Sequence, residues 1–285
     1  MSHARPGMRS AVIVAVISVV VLVGACLLAG HVWAPSGEPS PTADSPYPQE
    51  AEATPTPRSP EAAVELNTAA LQELVEHTIF FGHRSVGANI VELGLPAVFA
   101  QYGVEFRSRE STVVESAGFT DYWLDQTEDP RSKLRDFDRT VRAMPPAGLP
   151  DIAFMKLGFV DVSATTDTAA LFADYQSLMN DLEADFPDVL FVHVTISVHG
   201  WQPEDNAAIE QFNTRMRSAY ADSGRFFDLA AAVSTCSGES RSALTDDGVR
   251  YFSICPDYTA DGGHLNQRGA YAAATALLRL LVTLI

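Results

Sequence analysis

Residues 189–198, VLFVHVTISV, are apolar, β-branched and nearly unbroken. A strand of that kind needs apolar cover on both faces, the condition met by a parallel sheet packed between helices. The surrounding pattern agrees. Helices are predicted over 64–77, 85–102, 130–144, 168–186, 203–223 and 266–285, with strands over 78–81, 104–107, 151–157 and 225–229. Pro130 opens one helix and Pro187 ends another, while Pro96 kinks or shortens the helix it falls in. This alternation predicts an α/β fold, a parallel sheet sandwiched between helices in three layers. The 285 residues, 47% of them hydrophobic, suffice for one such domain with appendages. Sites in these folds lie at the C-terminal ends of the strands.

The appendages are at the N-terminus. Residues 1–10 are short and basic, and residues 11–30, AVIVAVISVVVLVGACLLAG, carry no charge. Residues 1–34 are therefore a signal or anchor segment, and three outcomes fit. The apolar run is long enough for an uncleaved transmembrane anchor. It also suits a signal peptide cut near residues 32–34, or a lipoprotein box over 23–26 with Cys26 lipidated. Each puts the main domain outside the cytoplasm, membrane-anchored or secreted. Residues 35–62 are rich in Pro, Ser, Thr, Ala and Glu and read as an extended linker. The domain then occupies residues 63–285. The formal net charge of −17 disfavours nucleic acid as a partner, and none is expected. In an oxidising compartment Cys236 and Cys255 can pair, closing a loop of about 20 residues worth roughly 3 kcal/mol; the alternative is two free thiols.

Two motifs carry chemistry. Near the C-terminus stands Asp261-Gly262-Gly263-His264-Leu265-Asn266. An Asp three residues before a His can hold one imidazole nitrogen and leave the other to take a proton. No second His or Cys lies at ligand spacing, so no metal is expected there. The second motif, Phe80-Phe81-Gly82-His83-Arg84-Ser85-Val86-Gly87, sets Ser85 where a strand turns into a helix. By itself such a Ser is a helix cap. Beside flanking glycines and a helix N-terminus, it is also a nucleophile whose own N–H faces a developing oxyanion. His83, His193 and His199 read as structural, with His83 and His199 placed where substrate contacts also form. Lys156, in an apolar strand, either contacts an anionic substrate or pairs with a buried carboxylate.

Together these blocks resemble the SGNH (GDSL-type) hydrolase family, over residues 78 to the end. The resemblance implies a flavodoxin-like three-layer fold and a catalytic triad of Ser85, His264 and Asp261, with no cofactor. Gly158-Phe159-Val160-Asp161 looks like the family's third block, but Val160 stands where that block has its oxyanion-stabilising Asn. Arg84 stands where the family has Asp. Gly118 is a candidate for the second-block glycine. Asn89, one helical turn beyond Ser85, is a candidate substitute oxyanion donor or else a packing amide. The implied activity is that of an extracytoplasmic serine esterase or acyl hydrolase on small-molecule, glycan or lipid esters, or an acyltransferase with the same triad. The alternative is a non-catalytic, envelope-tethered binding domain on the same fold.

Overall fold

The computed structural model describes residues 65–125, 128–237, 240–246 and 248–285. The signal or anchor segment and the linker lie outside the described residues. Among those described, no helix is long and apolar enough to cross a membrane.

The chain runs through α1 (Thr68–Leu74), β1 (Thr78–His83), α2 (Val86–Asn89), a π-helical turn (Ile90–Gly94), α3 (Leu95–Gln101), β2 (Ser108–Glu110) and β3 (Gly118–Trp123). It continues through α4 (Pro130–Ala143), β4 (Ile152–Met155), α5 (Thr168–Asp185), β5 (Leu190–Val194), α6 (Pro203–Tyr220), β6 (Phe226–Phe227) and α7 (Leu229–Ser234). A hairpin, β7 (Ala243–Asp246) and β8 (Val249–Phe252), and α8 (Gln267–Leu281) complete it.

The main sheet has the order β2-β3-β1-β4-β5-β6, and every pairing in it is parallel. Apart from the three-residue edge strand β2, this is the flavodoxin-like order, in which the chain reverses direction across the sheet between β1 and β4. The crevice beyond the C-terminal ends of those two strands is the natural ligand site of such a sheet.

Side-chain alternation along β1 builds both outer layers. Phe80 stacks on Tyr122 of β3 with ring centroids 5.0 Å apart and faces Phe137 of α4 at 6.3 Å. Phe81, pointing the other way, stacks on Phe154 of β4 at 4.5 Å. On that second face the α2 turn comes down onto β1, and a Cβ at Gly87 would stand 2.4 Å from that of His83; only glycine allows this approach.

Several predicted boundaries shift. The helix foreseen over 85–102 is one helical run from Val86 to Gln101, interrupted by the π turn just before Pro96. The strand foreseen over 104–107 does not form; the short exposed β2 follows it instead. Strand β3 was not foreseen, because its buried Thr120 and Asp121 break the apolar pattern. Asp121 is accommodated there by the ring of His83, Nε2 to Oδ2 3.1 Å. The β7–β8 hairpin and α7 were not foreseen either. Cys236 and Cys255 flank that hairpin, bonded to each other with Cα atoms 5.4 Å apart.

Candidate active site

Ser85 stands two residues beyond His83, the last residue of β1, and immediately precedes α2. Its backbone sits at φ 54°, ψ −112°, a conformation that costs a non-glycine residue of order 1–3 kcal/mol. Although it occupies the cap position, its side chain makes no capping hydrogen bond. The capping reading of Ser85 is therefore set aside, and the hydroxyl has no hydrogen-bond partner among the described residues. Strain held just past the end of the central strand, with nothing local to repay it, makes Ser85 a candidate functional position.

Asp261 and His264 come together as their spacing predicts. His264 Nδ1 lies 2.7 Å from Asp261 Oδ2. The other oxygen, Oδ1, accepts the backbone N–H groups of Gly263 and His264 at 2.9 and 2.8 Å. Those donors, the Gly263 N–H foremost and then the imidazole, hold the Asp261 carboxyl well below the usual carboxylate range. An ionised Asp261 on Nδ1 assigns the ring proton to that nitrogen and leaves Nε2 with a lone pair free to accept a proton. Both side chains are about half exposed, at 52% and 55%, so the base is open to a substrate.

The tie between the two motifs is Asn89. Its Oδ1 accepts the N–H of Leu265 at 3.0 Å, which fixes the residue after His264 against the helical turn that follows Ser85. The structure does not hydrogen-bond Ser85 to His264. Catalytic contacts of this type often close only around substrate. Since Oδ1 is engaged, only Nδ2 of Asn89 remains to meet an oxyanion. Asn89→Ala strips the Leu265 N–H of its acceptor, and we expect a loss of about 1–2 kcal/mol. Thermal unfolding should show this as a Tm lower by roughly 2–8 °C, with Asn89→Asp, which keeps the acceptor, losing less. An unchanged Tm in Asn89→Ala would mean that the tether holds nothing.

Gly118 is a correction. It opens β3 opposite Thr78, the first residue of β1, and its N–H donates to the carbonyl of His77 at 2.8 Å. In a parallel sheet that is the N-terminal edge, about 20 Å along the strand from Ser85 at 3.3 Å per residue. It cannot meet an oxyanion at the other edge. At the C-terminal edge β3 ends on Trp123, with Leu124 just past it. Arg84 Nε donates to the Leu124 carbonyl, and its guanidinium carbon lies 4.9 Å from the centre of the Trp123 ring.

The loop after β4 is closed on itself. Gly158 N–H donates to Asp161 Oδ2 at 2.6 Å, so that amide is occupied. Lys133 Nζ donates to both Asp161 oxygens at 2.7 Å in a fully buried pair. This corrects the reading of Lys156 as the partner of a buried carboxylate. Lys133 takes that place, and Lys156 Nζ is buried with no hydrogen-bond partner. Val160 is 55% exposed on the loop, where the resemblance calls for an amide.

An aromatic wall stands beside His264. The Phe159 ring lies 6.1 Å from that of His264, 5.6 Å from Trp201 and 5.4 Å from His199. A Cβ at Gly263 would meet the Trp201 ring at 2.3 Å, so the flat backbone between Asp261 and His264 is what lets the wall close on the base. His199 is buried behind it, its Nδ1 accepting the Trp201 N–H at 3.3 Å, and burial pushes its pKa down. His193 is structural. It stacks on Tyr220 at 3.6 Å and bonds the Tyr175 hydroxyl at 3.0 Å, and burial pushes it down to about 3. It also stands 3.3 Å from Glu183 of α5, a carboxylate that sequence spacing alone did not reveal. Phe159 and Trp201 are not among the sequence candidates for this site; the available signal is an aromatic past the end of each of two predicted strands. Among the described residues, no group of three or more His, Cys, Asp or Glu side chains is placed to hold a metal ion.

No protein-family model matches the chain, and no curated protein matches it. Solved structures do. One, from Bacteroides fragilis and provisionally described as an acylhydrolase, shares 17% identity at a TM-score of 0.47, over 74% of this chain and 88% of that one. A second, from Desulfitobacterium hafniense and provisionally described as a lipolytic protein of the G-D-S-L family, shares 11% at 0.46, over 72% and 99%. TesA shares 15% at 0.45, over 73% and 99%. At these scores the likeness is one of general chain course, and the α/β assignment stands on the strand order described above.

Proposed function

We propose that this protein is a serine ester hydrolase that works outside the cytoplasm. The observation that carries the reading is a strained, unbonded Ser85 at the C-terminal edge of the central strand, tied through Asn89 to a preformed Asp261–His264 pair. Ser85 Oγ attacks the ester carbonyl as His264 Nε2 removes its proton. Asp261 holds the imidazole in the required tautomer and stabilises the imidazolium. The Ser85 N–H and Asn89 Nδ2 are the donors offered to the oxyanion. His264 then returns the proton to the leaving alcohol, and water repeats the sequence on the acyl-enzyme. These steps use side chains and backbone only. An alcohol in place of that water makes the same site an acyltransferase.

The extracytoplasmic setting rests on residues 1–34 and on the Cys236–Cys255 pair, which needs an oxidising compartment. A domain tethered there by residues 35–62 meets envelope glycans and lipids, whose esters are the proposed substrates. A mass measurement with and without reductant checks the disulfide.

A specific observation favours a second reading, a binding domain on the same fold. Val160 offers no amide and the Gly158 N–H is taken by Asp161, which depletes the oxyanion hole; losing one donor costs about 10²–10³ in rate. Fluorophosphonate labelling of the full chain decides between the two. The hydrolase reading expects labelling of the parent and none of Ser85→Ala or His264→Ala. A folded parent that resists the reagent would leave the binding domain as the better account.

A further inference from the structure

Resting on the hydrolase reading of the Ser85 site, we propose that Arg84 is a specificity residue that selects esters bearing a carboxylate group. Arg84 lies between the last residue of β1 and Ser85. Its Nε is tied to the Leu124 carbonyl and its guanidinium lies over the Trp123 ring, so the cation is held at the sheet edge where Ser85 stands.

Two facts make it available there. The first is that the remaining donors, Nη1 and Nη2, have no partner among the described residues, and no carboxylate among them comes within ion-pair distance. Most of the described arginines are not in that state: Arg107, Arg131, Arg142, Arg217, Arg225 and Arg268, among others, each face an Asp or Glu. The second is that the acidic residues nearest in sequence to Trp123 are turned elsewhere. Asp121 faces His83, and Asp125 accepts the Ser132 hydroxyl at 2.8 Å. A guanidinium fixed at Nε presents its two terminal nitrogens as a planar fork, the geometry that grips a carboxylate through two parallel hydrogen bonds. The overall charge of −17 repels such a substrate from the surface at large, which makes a cation beside Ser85 that no carboxylate neutralises the point where it is captured.

The test compares matched ester pairs that differ only in charge. On the alcohol side these are 3-acetoxybenzoate and its methyl ester. On the acyl side they are the 4-nitrophenyl monoester of adipic acid and the corresponding methyl adipate. The readout is the ratio of kcat/KM for the anionic over the neutral member, together with binding of 3-hydroxybenzoate and adipate to the intact chain by calorimetry. The parent is expected to favour the anionic member of at least one pair by about tenfold to a hundredfold, the range of a charge-assisted hydrogen bond. Arg84→Gln should bring that ratio to about one and abolish binding of the matching acid; Arg84→Lys should keep part of both. Thermal unfolding verifies that each variant is folded.

A fall in both esters with the ratio intact would overturn the proposal and make Arg84 a donor to the carbonyl oxygen. Turnover of neutral esters by a parent that binds neither acid would also overturn it while leaving the hydrolase reading in place. If no ester is cleaved, binding decides alone: acid binding that is lost in Arg84→Gln upholds the anion site although the hydrolase reading fails, and no binding ends both.

Discussion

Replacing Ser85 by glycine is expected to stabilise the fold and, in the same variant, to abolish ester hydrolysis. The two effects have separate causes. The backbone at φ 54°, ψ −112° places a Cβ where L-residues rarely go, at a cost of order 1–3 kcal/mol. Glycine removes that cost and gives back about 0.5–1 kcal/mol in chain entropy. The net gain should be about 1–2 kcal/mol, or roughly 2–8 °C in Tm for a domain of this size. The hydroxyl is lost with the Cβ, and removal of a serine nucleophile lowers kcat by about 10⁴-fold or more. Ser85→Ala is the internal control. It keeps the Cβ and therefore the strain, so it should lose activity without gaining stability. A Ser85→Gly protein that melts below Ser85→Ala would show that the backbone there is not strained and would remove the main support for a functional turn.

The second large effect lies in the buried charges behind the Gly158 loop, where two lysines should behave in opposite ways. Lys133 gives Asp161 two hydrogen bonds at 2.7 Å, with the side chains 3% and 0% exposed. Lys133→Met leaves a buried carboxylate with the Gly158 N–H as its remaining hydrogen-bond donor, and breaking one side of a buried pair costs about 3–5 kcal/mol. Lys156 has no acceptor among the described residues. Burial, with Lys133 adding to it and Asp161 opposing it, pushes Lys156 down to about 7 from 10.5. Lys156→Met should therefore stabilise the protein at neutral pH, by about 1–4 kcal/mol on the precedent of buried ions replaced by apolar side chains.

The pH dependence follows with a definite sign. Between about 7 and 10.5 the unfolded chain holds the Lys156 proton and the folded chain does not, so stability rises with pH across that window. Below about 7 both states are protonated and the full cost of the buried ammonium is present. The advantage of Lys156→Met over the parent should be greatest below pH 7 and shrink toward pH 10. Denaturant midpoints at pH 6 and pH 9.5 measure this, and a stability difference that does not change with pH would mean that Lys156 is not buried as a charge.

How far the sequence reveals the site depends on whether the chemistry is local. Asp261 and His264 are three residues apart, and a turn containing two glycines brings them into contact whatever the rest of the chain does. Ser85 is conspicuous for a similar reason, since a strand running into a helix has to turn at that point. Gly118 fails as an oxyanion donor because composition says nothing about which end of a parallel strand a residue occupies. Strand β3 is not legible in the sequence because its polar positions are buried, and the hydrogen-bond partner of Asp121 is a histidine 38 residues away. Lys133 drew no notice because a lysine in an amphipathic helix reads as solvated until its carboxylate partner is placed opposite it.

The chain's own pattern determined the class of fold, since a ten-residue run as apolar and as rich in β-branched residues as 189–198 needs cover on both faces, as in a parallel sheet between helices. It also determined the Asp261–His264 pair, which is local. Only the tertiary structure decided what surrounds that pair. The strand order brought Ser85 and the β4 loop to one edge, and the reach of Asn89 to Leu265 across 176 residues joined the two ends of the site. The buried Lys133–Asp161 bond closed the loop that carries Phe159 and Val160. Each of these depends on which elements become neighbours, and that is set by packing between distant segments rather than by any one segment's preference.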